Sequence, residues 1–317
     1  MWPFALTALG LVILLLAGDA LVKGAVNFAL RLGIPALIVS LTIVAFGTSA
    51  PELLIAVKAV GEGASGIALG NVVGSNTANV LLVLGIPALL AGMHTKGVET
   101  RKSYLYMMLA TALFIAGCFV GPITWVHGIV FLAALTAILL DQFFEARRHR
   151  DAGSAEEDDE EEVEGADPDL PWWQIIGYLL LGLVGLPLGA NLLVENSVII
   201  ARSFGVSETV IGLTLIAIGT SLPELATTVS AALRRQADVA IGNVIGSNLF
   251  NLLAIIGLAS FVGPIEVERA FLHFDLWVMA GASLLLVPLV YKWINLGRIY
   301  GIILAGLYGL YLFVLLA

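Results

Sequence analysis

Cysteine is almost missing from this chain. Cys118 is the single one among 317 residues, which excludes an intrachain disulfide framework and a cysteine-based metal site within one chain. Charge is scarce as well: 12% of residues are Asp, Glu, Lys or Arg, against roughly 25% in a soluble globule, too few to cover a water-facing surface. His94, His127, His149 and His273 all lie outside the polar motifs described below, so a transition-metal centre is not expected. What the chain has instead is apolar surface, with 59% hydrophobic residues and a mean hydropathy of +1.00. These values predict an integral membrane protein surrounded by lipid bilayer, with no nucleic-acid partner.

A hydrocarbon core about 30 Å thick requires about 20 apolar residues per helix. Ten stretches meet that length, near residues 4–30, 35–60, 66–92, 103–120, 123–143, 172–203, 207–232, 238–262, 270–291 and 297–317. The first begins Met1-Trp2-Pro3 without a basic n-region or small-residue cleavage site, so it is expected to be retained. With the N-terminus outside, the inner connections hold Arg31, Lys96, Arg101, Lys102, Arg147, Arg148, Arg150, Arg234, Arg235, Lys292 and Arg298, and the outer ones only Lys58, Arg202 and Arg269. By the positive-inside rule both termini are expected outside.

The net charge of -9 is local in origin. Residues 151–169 contain 11 acids and no bases, leaving 13 acids and 15 bases elsewhere. Such a stretch cannot bury a core. It predicts an acidic cytoplasmic linker, 146–170, between a first half at 1–145 and a second at 171–317, with Trp172 and Trp173 as interface anchors.

The halves are related. Residues 42–54, TIVAFGTSAPELL, match 214–226, TLIAIGTSLPELA, at eight of thirteen positions, and LGNVVGSNTANVLLVLG (69–85) matches IGNVIGSNLFNLLAIIG (241–257) at nine of seventeen, both at an offset of 172. Shared register argues for duplication. Five predicted helices fit within that offset, so the copies enter the membrane in opposite directions. The fold class expected is therefore an all-α polytopic membrane protein of about ten helices in two inverted five-helix repeats, the arrangement in which secondary transporters bind substrate near the midplane at broken helices.

Glu52 and Glu224 fall near the middle of the second and seventh spans, where an ionisable residue is a functional candidate by default. Thr48 and Thr220 stand four residues before them, on the same helix face. Pro51 and Pro223 clash with the carbonyl four residues back, which predicts main-chain oxygens freed around 45–48 and 217–220. Ser75 with Asn79, and Ser247 with Asn251, repeat the four-residue spacing. Gly70, Gly74, Gly242 and Gly246 suit close helix approach, while Asn71, Asn76, Asn243 and Asn248 suit either ion binding or bonds to the broken helices. Two carboxylates, hydroxyls, amides and carbonyls, with no sulfur or imidazole, make a hard-cation site. Calcium, with 6–8 oxygen ligands in flexible geometry, fits better than magnesium. No cofactor is expected. An enzyme is not expected either, because Ser49 and Ser221 have no base within their motifs. Asp19 and Lys23, four apart in the first span, are expected to pair.

GTSAPE with GNVVGSNTAN, and GTSLPE with GNVIGSNLFN, resemble the two alpha-repeats of the sodium/calcium exchanger branch of the cation/calcium antiporter superfamily, in its short prokaryotic form. The resemblance covers roughly residues 17–90 and 189–262. It implies sodium-driven calcium extrusion by alternating access. By resemblance, Glu52, Glu224, Thr48 and Thr220 would bind Ca2+. Ala45, Ser49, Ser75, Ala217, Ser221 and Ser247 would complete sodium sites, and Asn79 and Asn251 would lie beside the centre. Asn251 stands where potassium-dependent relatives carry Asp, which implies K+-independent exchange. The proton-driven calcium branch, the main alternative, resembles a GNxxE pattern where this chain has Gly74 and Gly246. A cation channel is the remaining competitor.

Overall fold

In hydrocarbon every main-chain N–H and C=O needs an internal partner, and the apolar runs of this chain meet that demand as helices. The computed structural model describes residues 2–95, 98–151, 167, 169–205, 217–292 and 294–316. In chain order the helices are α1 (Trp2–Leu32), α2 (Ala36–Thr48), α3 (Ala50–Gly61), α4 (Ser65–Leu90), α5 (Arg101–Val120), α6 (Trp125–Asp151), α7 (Trp172–Ser203), α8 (Ala217–Thr220), α9 (Leu222–Leu233), α10 (Ala237–Ala259), α11 (Arg269–His273), α12 (Asp275–Leu284), α13 (Val287–Val290) and α14 (Arg298–Leu316). Among the described residues there is no strand, only isolated bridges joining Met93 to Leu296 and Ile123 to Ile265.

Eight helical spans are long and apolar enough to cross a membrane, counting Phe271–Val290 as one. A ninth results if α2 and α3, bent by 45° at their junction, form one crossing. The predicted seventh span is described only from Ala217 onward, since residues 206–216 lie outside the described residues, as do residues 152–166 of the acidic stretch. The chain beyond that stretch is fixed to the end of α1: Asp167 N donates to Asn27 Oδ1 at 2.8 Å, and Arg31 donates to Leu170 O at 3.0 Å.

The apolar window of α10 is entirely buried and that of α4 largely so, whereas most of α6 and α14 faces outward. The two helices carrying the Gly-Asn-Val motifs are thus central to the molecule, α10 enclosed by protein and α4 exposed only in part, at residues such as Gly66, Ile67 and Gly70. Both contain a π-helical turn just past the motif, at Asn79–Val83 and Phe250–Ile255, a distortion that often accompanies functional positions.

A second, smaller apolar cluster joins α1 to α7 through Leu14, Leu21 and Leu186. The contact is close because it is made by glycine: a Cβ on Gly10 would lie 2.6 Å from Leu193 N, and one on Gly189 would lie 3.0 Å from Gly10 O. Small residues allow such backbone approach in membrane helices. Cross-helix packing also overturns the expected Asp19–Lys23 pair. Asp19 instead takes the guanidinium of Arg234 at 2.5 Å, and Lys23 donates to Tyr178 Oη at 3.3 Å while lying over its ring. Partners on neighbouring helices offer charge and an aromatic face together, which the i,i+4 geometry does not.

Candidate functional site

Each proline motif interrupts its helix at a serine. Ser49, with φ -84° and ψ 4°, separates α2 from α3, and Ser221, with φ -87° and ψ 4°, separates α8 from α9. Pro51 and Pro223 then occupy the first turn of the new helix, where a missing N–H costs nothing. One of the carbonyls expected to be released at 45–48 keeps its partners. Ala45 O is not freed: it accepts from Ser49 N at 3.0 Å and from Thr48 Oγ1 at 3.3 Å. The reason is that Pro51 withholds only its own N–H, so donors before it keep their partners.

The break places Glu52 and Glu224 in the first turns of α3 and α9, where the helix dipole favours a carboxylate. Each is 1% exposed. Ser49 Oγ, from the first motif, donates to Glu224 Oε1, in the second, at 3.3 Å. Of the eight buried side-chain polar atoms without a hydrogen-bond partner among the described residues, six belong to the motifs: Glu52 Oε1 and Oε2, Glu224 Oε2, Ser221 Oγ, Asn79 Oδ1 and Asn251 Oδ1. Buried polar atoms are normally satisfied. A concentration of unsatisfied oxygens, five of them acceptors only and the sixth the Ser221 hydroxyl, suits a hard cation.

Asparagines hold this arrangement in pairs. Asn71 donates to Glu52 O and Asn243 to Glu224 O, both at 3.3 Å. At the centre, Asn76 donates to Asn248 O and Asn248 to Asn76 O. Asn79 Nδ2 meets Asn248 Oδ1 at 3.0 Å and Asn251 Nδ2 meets Asn76 Oδ1 at 2.9 Å, so both amides of the next turn present only their oxygens. Thr48 is fully buried, with Asn243 Oδ1 at 3.3 Å and Ser247 Oγ at 3.4 Å. Ser75 is buried and Thr220 half-buried. Ala217 is the first described residue of α8, and its side chain lies outside the described residues.

A family model described as sodium/calcium exchanger protein matches residues 2–144 and 174–317. The chain belongs to the sodium/calcium exchanger family. Like its relatives it is a multi-pass membrane transporter rather than an enzyme. It is 37% identical over 294 residues to CaxA of Alkalimonas amylolytica, named as an antiporter, with 92% of this chain and 90% of that one covered. It is 34% identical to the sodium/calcium exchanger MaX1 of Methanosarcina acetivorans, with 98% of each chain covered. A solved structure of the sodium-calcium exchanger NCX_Mj superimposes with a TM-score of 0.79 at 30% identity, over 98% of this chain and 97% of that one.

In this exchanger the two repeat-related faces are not packed alike. On α10, a Cβ at Gly246 would lie 2.6 Å from Ala45 Cβ, and one at Gly242 would lie 2.8 Å from Ser40 Cβ. On α4, Gly70 and Gly74 instead line a cavity of about 470 Å³ with Asn71, Ser75 and Thr220. The part of α4 that lines this cavity runs from Gly66, in its first turn, to Ser75, about 14 Å along the helix at 1.5 Å per residue. A larger recess of about 1000 Å³ has walls such as Phe46, Leu139, Leu183 and Phe250, which suit acyl chains better than ions. The smaller cavity also involves Asp275, Tyr308 and Tyr311, which the motifs did not identify. An acid inside the predicted span 270–291 was the available signal.

Proposed function

We propose that this protein is a secondary active antiporter that exchanges Na+ for Ca2+ by alternating access, independently of K+. The observation that carries the reading is the pair of buried carboxylates, Glu52 and Glu224, of whose four oxygens only Glu224 Oε1 has a hydrogen-bond donor among the described residues. Two negative charges held in protein interior are costly unless cations neutralise them. Glu52 and Glu224, assisted by Thr48 and Thr220, bind Ca2+. Ala45, Ser49, Ser75, Ala217, Ser221 and Ser247 contribute to sodium sites, and Asn79 and Asn251 border the centre. Because both ions use the same carboxylates, their binding is competitive. Only the neutralised site crosses, which couples one flux to the other.

The topology that fits is ten helices in two inverted repeats, 1–145 and 171–317, joined by the acidic segment 146–170, with both termini outside. Hydrogen bonds between residues related by the offset of 172, such as those of Asn76 with Asn248, support a two-fold relation of the halves. The cavity takes in Gly66 and Ile67, exposed residues in the first turn of α4. Given the distribution of Lys and Arg, that is the outer face, so the conformation is outward-open.

The test is sodium-gradient-driven calcium-45 uptake into proteoliposomes. Glu52→Gln and Glu224→Gln should each abolish it, and retention of transport by either variant would overturn the assignment. Imposing sodium, potassium and proton gradients singly separates the alternatives: a calcium/proton antiporter responds to pH alone, and a channel passes calcium with no counter-ion.

A further inference from the structure

A route that leads a divalent cation to buried carboxylates needs something better than an apolar wall. The cavity running from Gly66 to Ser75 and Thr220 is lined by one charged side chain among the described residues, Asp275. Asp275 opens α12, is half-buried, and accepts a hydrogen bond from Tyr311 Oη at 3.3 Å. Tyr308, one turn earlier on α14, lies on the same wall. A second carboxylate stands at the exposed Gly66 end, since Glu268 Oε1 lies 3.4 Å from where a Cβ on Gly66 would stand.

We infer that Asp275 is an ion-access residue of the exchanger: it draws the cation from the exposed end at Glu268 toward Ser75 and Thr220, and sets how fast calcium is captured from this face without ligating it at the centre. The inference rests on the sodium/calcium reading above. A charge in a cleft with low-dielectric walls focuses the field and raises the local counter-ion concentration, with capture rates increasing by about 10-fold or more. The effect weakens as salt screens it. Asp275 is also an acid in the first turn of a helix, a position that stabilises α12 through its dipole. That role would alter melting temperature on its own and would not alter calcium capture from one face only.

The experiment compares right-side-out with everted membrane vesicles at low ionic strength. Asp275→Asn should raise the calcium KM about three- to tenfold in right-side-out vesicles, with the maximal rate retained and the everted KM unchanged. Choline chloride should shrink the difference, and Asp275→Glu should restore the wild-type value. An unchanged KM, or an equal change on both faces, would overturn the inference. So would a wild-type KM insensitive to ionic strength, a measurement that needs no variant. If the wild type shows no sodium-driven calcium transport at all, the exchange reading itself fails, a distinct result.

Discussion

Asn76 and Asn248 each donate a side-chain hydrogen bond to the other's main-chain carbonyl, at 3.3 and 3.4 Å, across the centre of the protein. The reciprocity ties α4 to α10, and it leaves the Oδ1 atoms of both asparagines to accept from Asn251 and Asn79.

Asn248→Ala should therefore be costly. It removes the donor to Asn76 O and the acceptor of Asn79 Nδ2, and a buried polar group left unpaired costs about 1–3 kcal/mol. The unfolding midpoint in detergent should fall by several degrees. Asn76→Ala added to it should cost less than the sum of the single changes, because the two residues share one network. Full additivity would contradict the coupling.

Glycine contacts give a second, asymmetric expectation. A Cβ on Gly246 would press on Ala45 at 2.6 Å, so Gly246→Ala should destabilise by about 1–3 kcal/mol, as overpacking usually does. Gly74 faces cavity instead, and Gly74→Ala should stay within about 0.5 kcal/mol of wild type. Thermal unfolding of the two variants side by side checks this contrast.

The bond from Ser49 to Glu224 is a third target. A hydrogen bond to a charged group is worth about 1.5–3 kcal/mol, so Ser49→Ala should weaken calcium binding on the order of tenfold. Isothermal titration in detergent would show it, and affinity equal to wild type would mean that the contact does not support the bound state.

Asp19 and Arg234 connect the α1–α7 pair to the end of α9. Their side chains are 48% and 21% exposed, so the coupling between them should be near the modest values of accessible pairs, about 1 kcal/mol or less. A double-mutant cycle with Asp19→Asn and Arg234→Gln, read by unfolding in detergent, measures it. A coupling of several kcal/mol would place the pair in a far drier environment than its exposure indicates.

Sequence by itself settled much of this protein. Scarce charge and long apolar runs leave helices as the available membrane structure, because lipid offers the backbone no partners, and the predicted sixth span, 172–203, coincides with α7 (Trp172–Ser203). The duplicated motifs pointed to Glu52 and Glu224, since carboxylates inside apolar runs stand out without any three-dimensional information. Tertiary structure decided what depends on neighbours distant in the chain. Asp19 looked like the partner of Lys23 until Arg234, 215 residues away, proved closer. Asn76 and Asn248 could have served ions or helices until α4 met α10, and Asn71 and Asn243 until they met the main chain of α3 and α9. Asp275 gained meaning only because α12 and α14 form a wall of the cavity that reaches Ser75. Spacing along a helix fixes which side chains share a face, whereas the partner across that face is set by packing, which local periodicity does not encode.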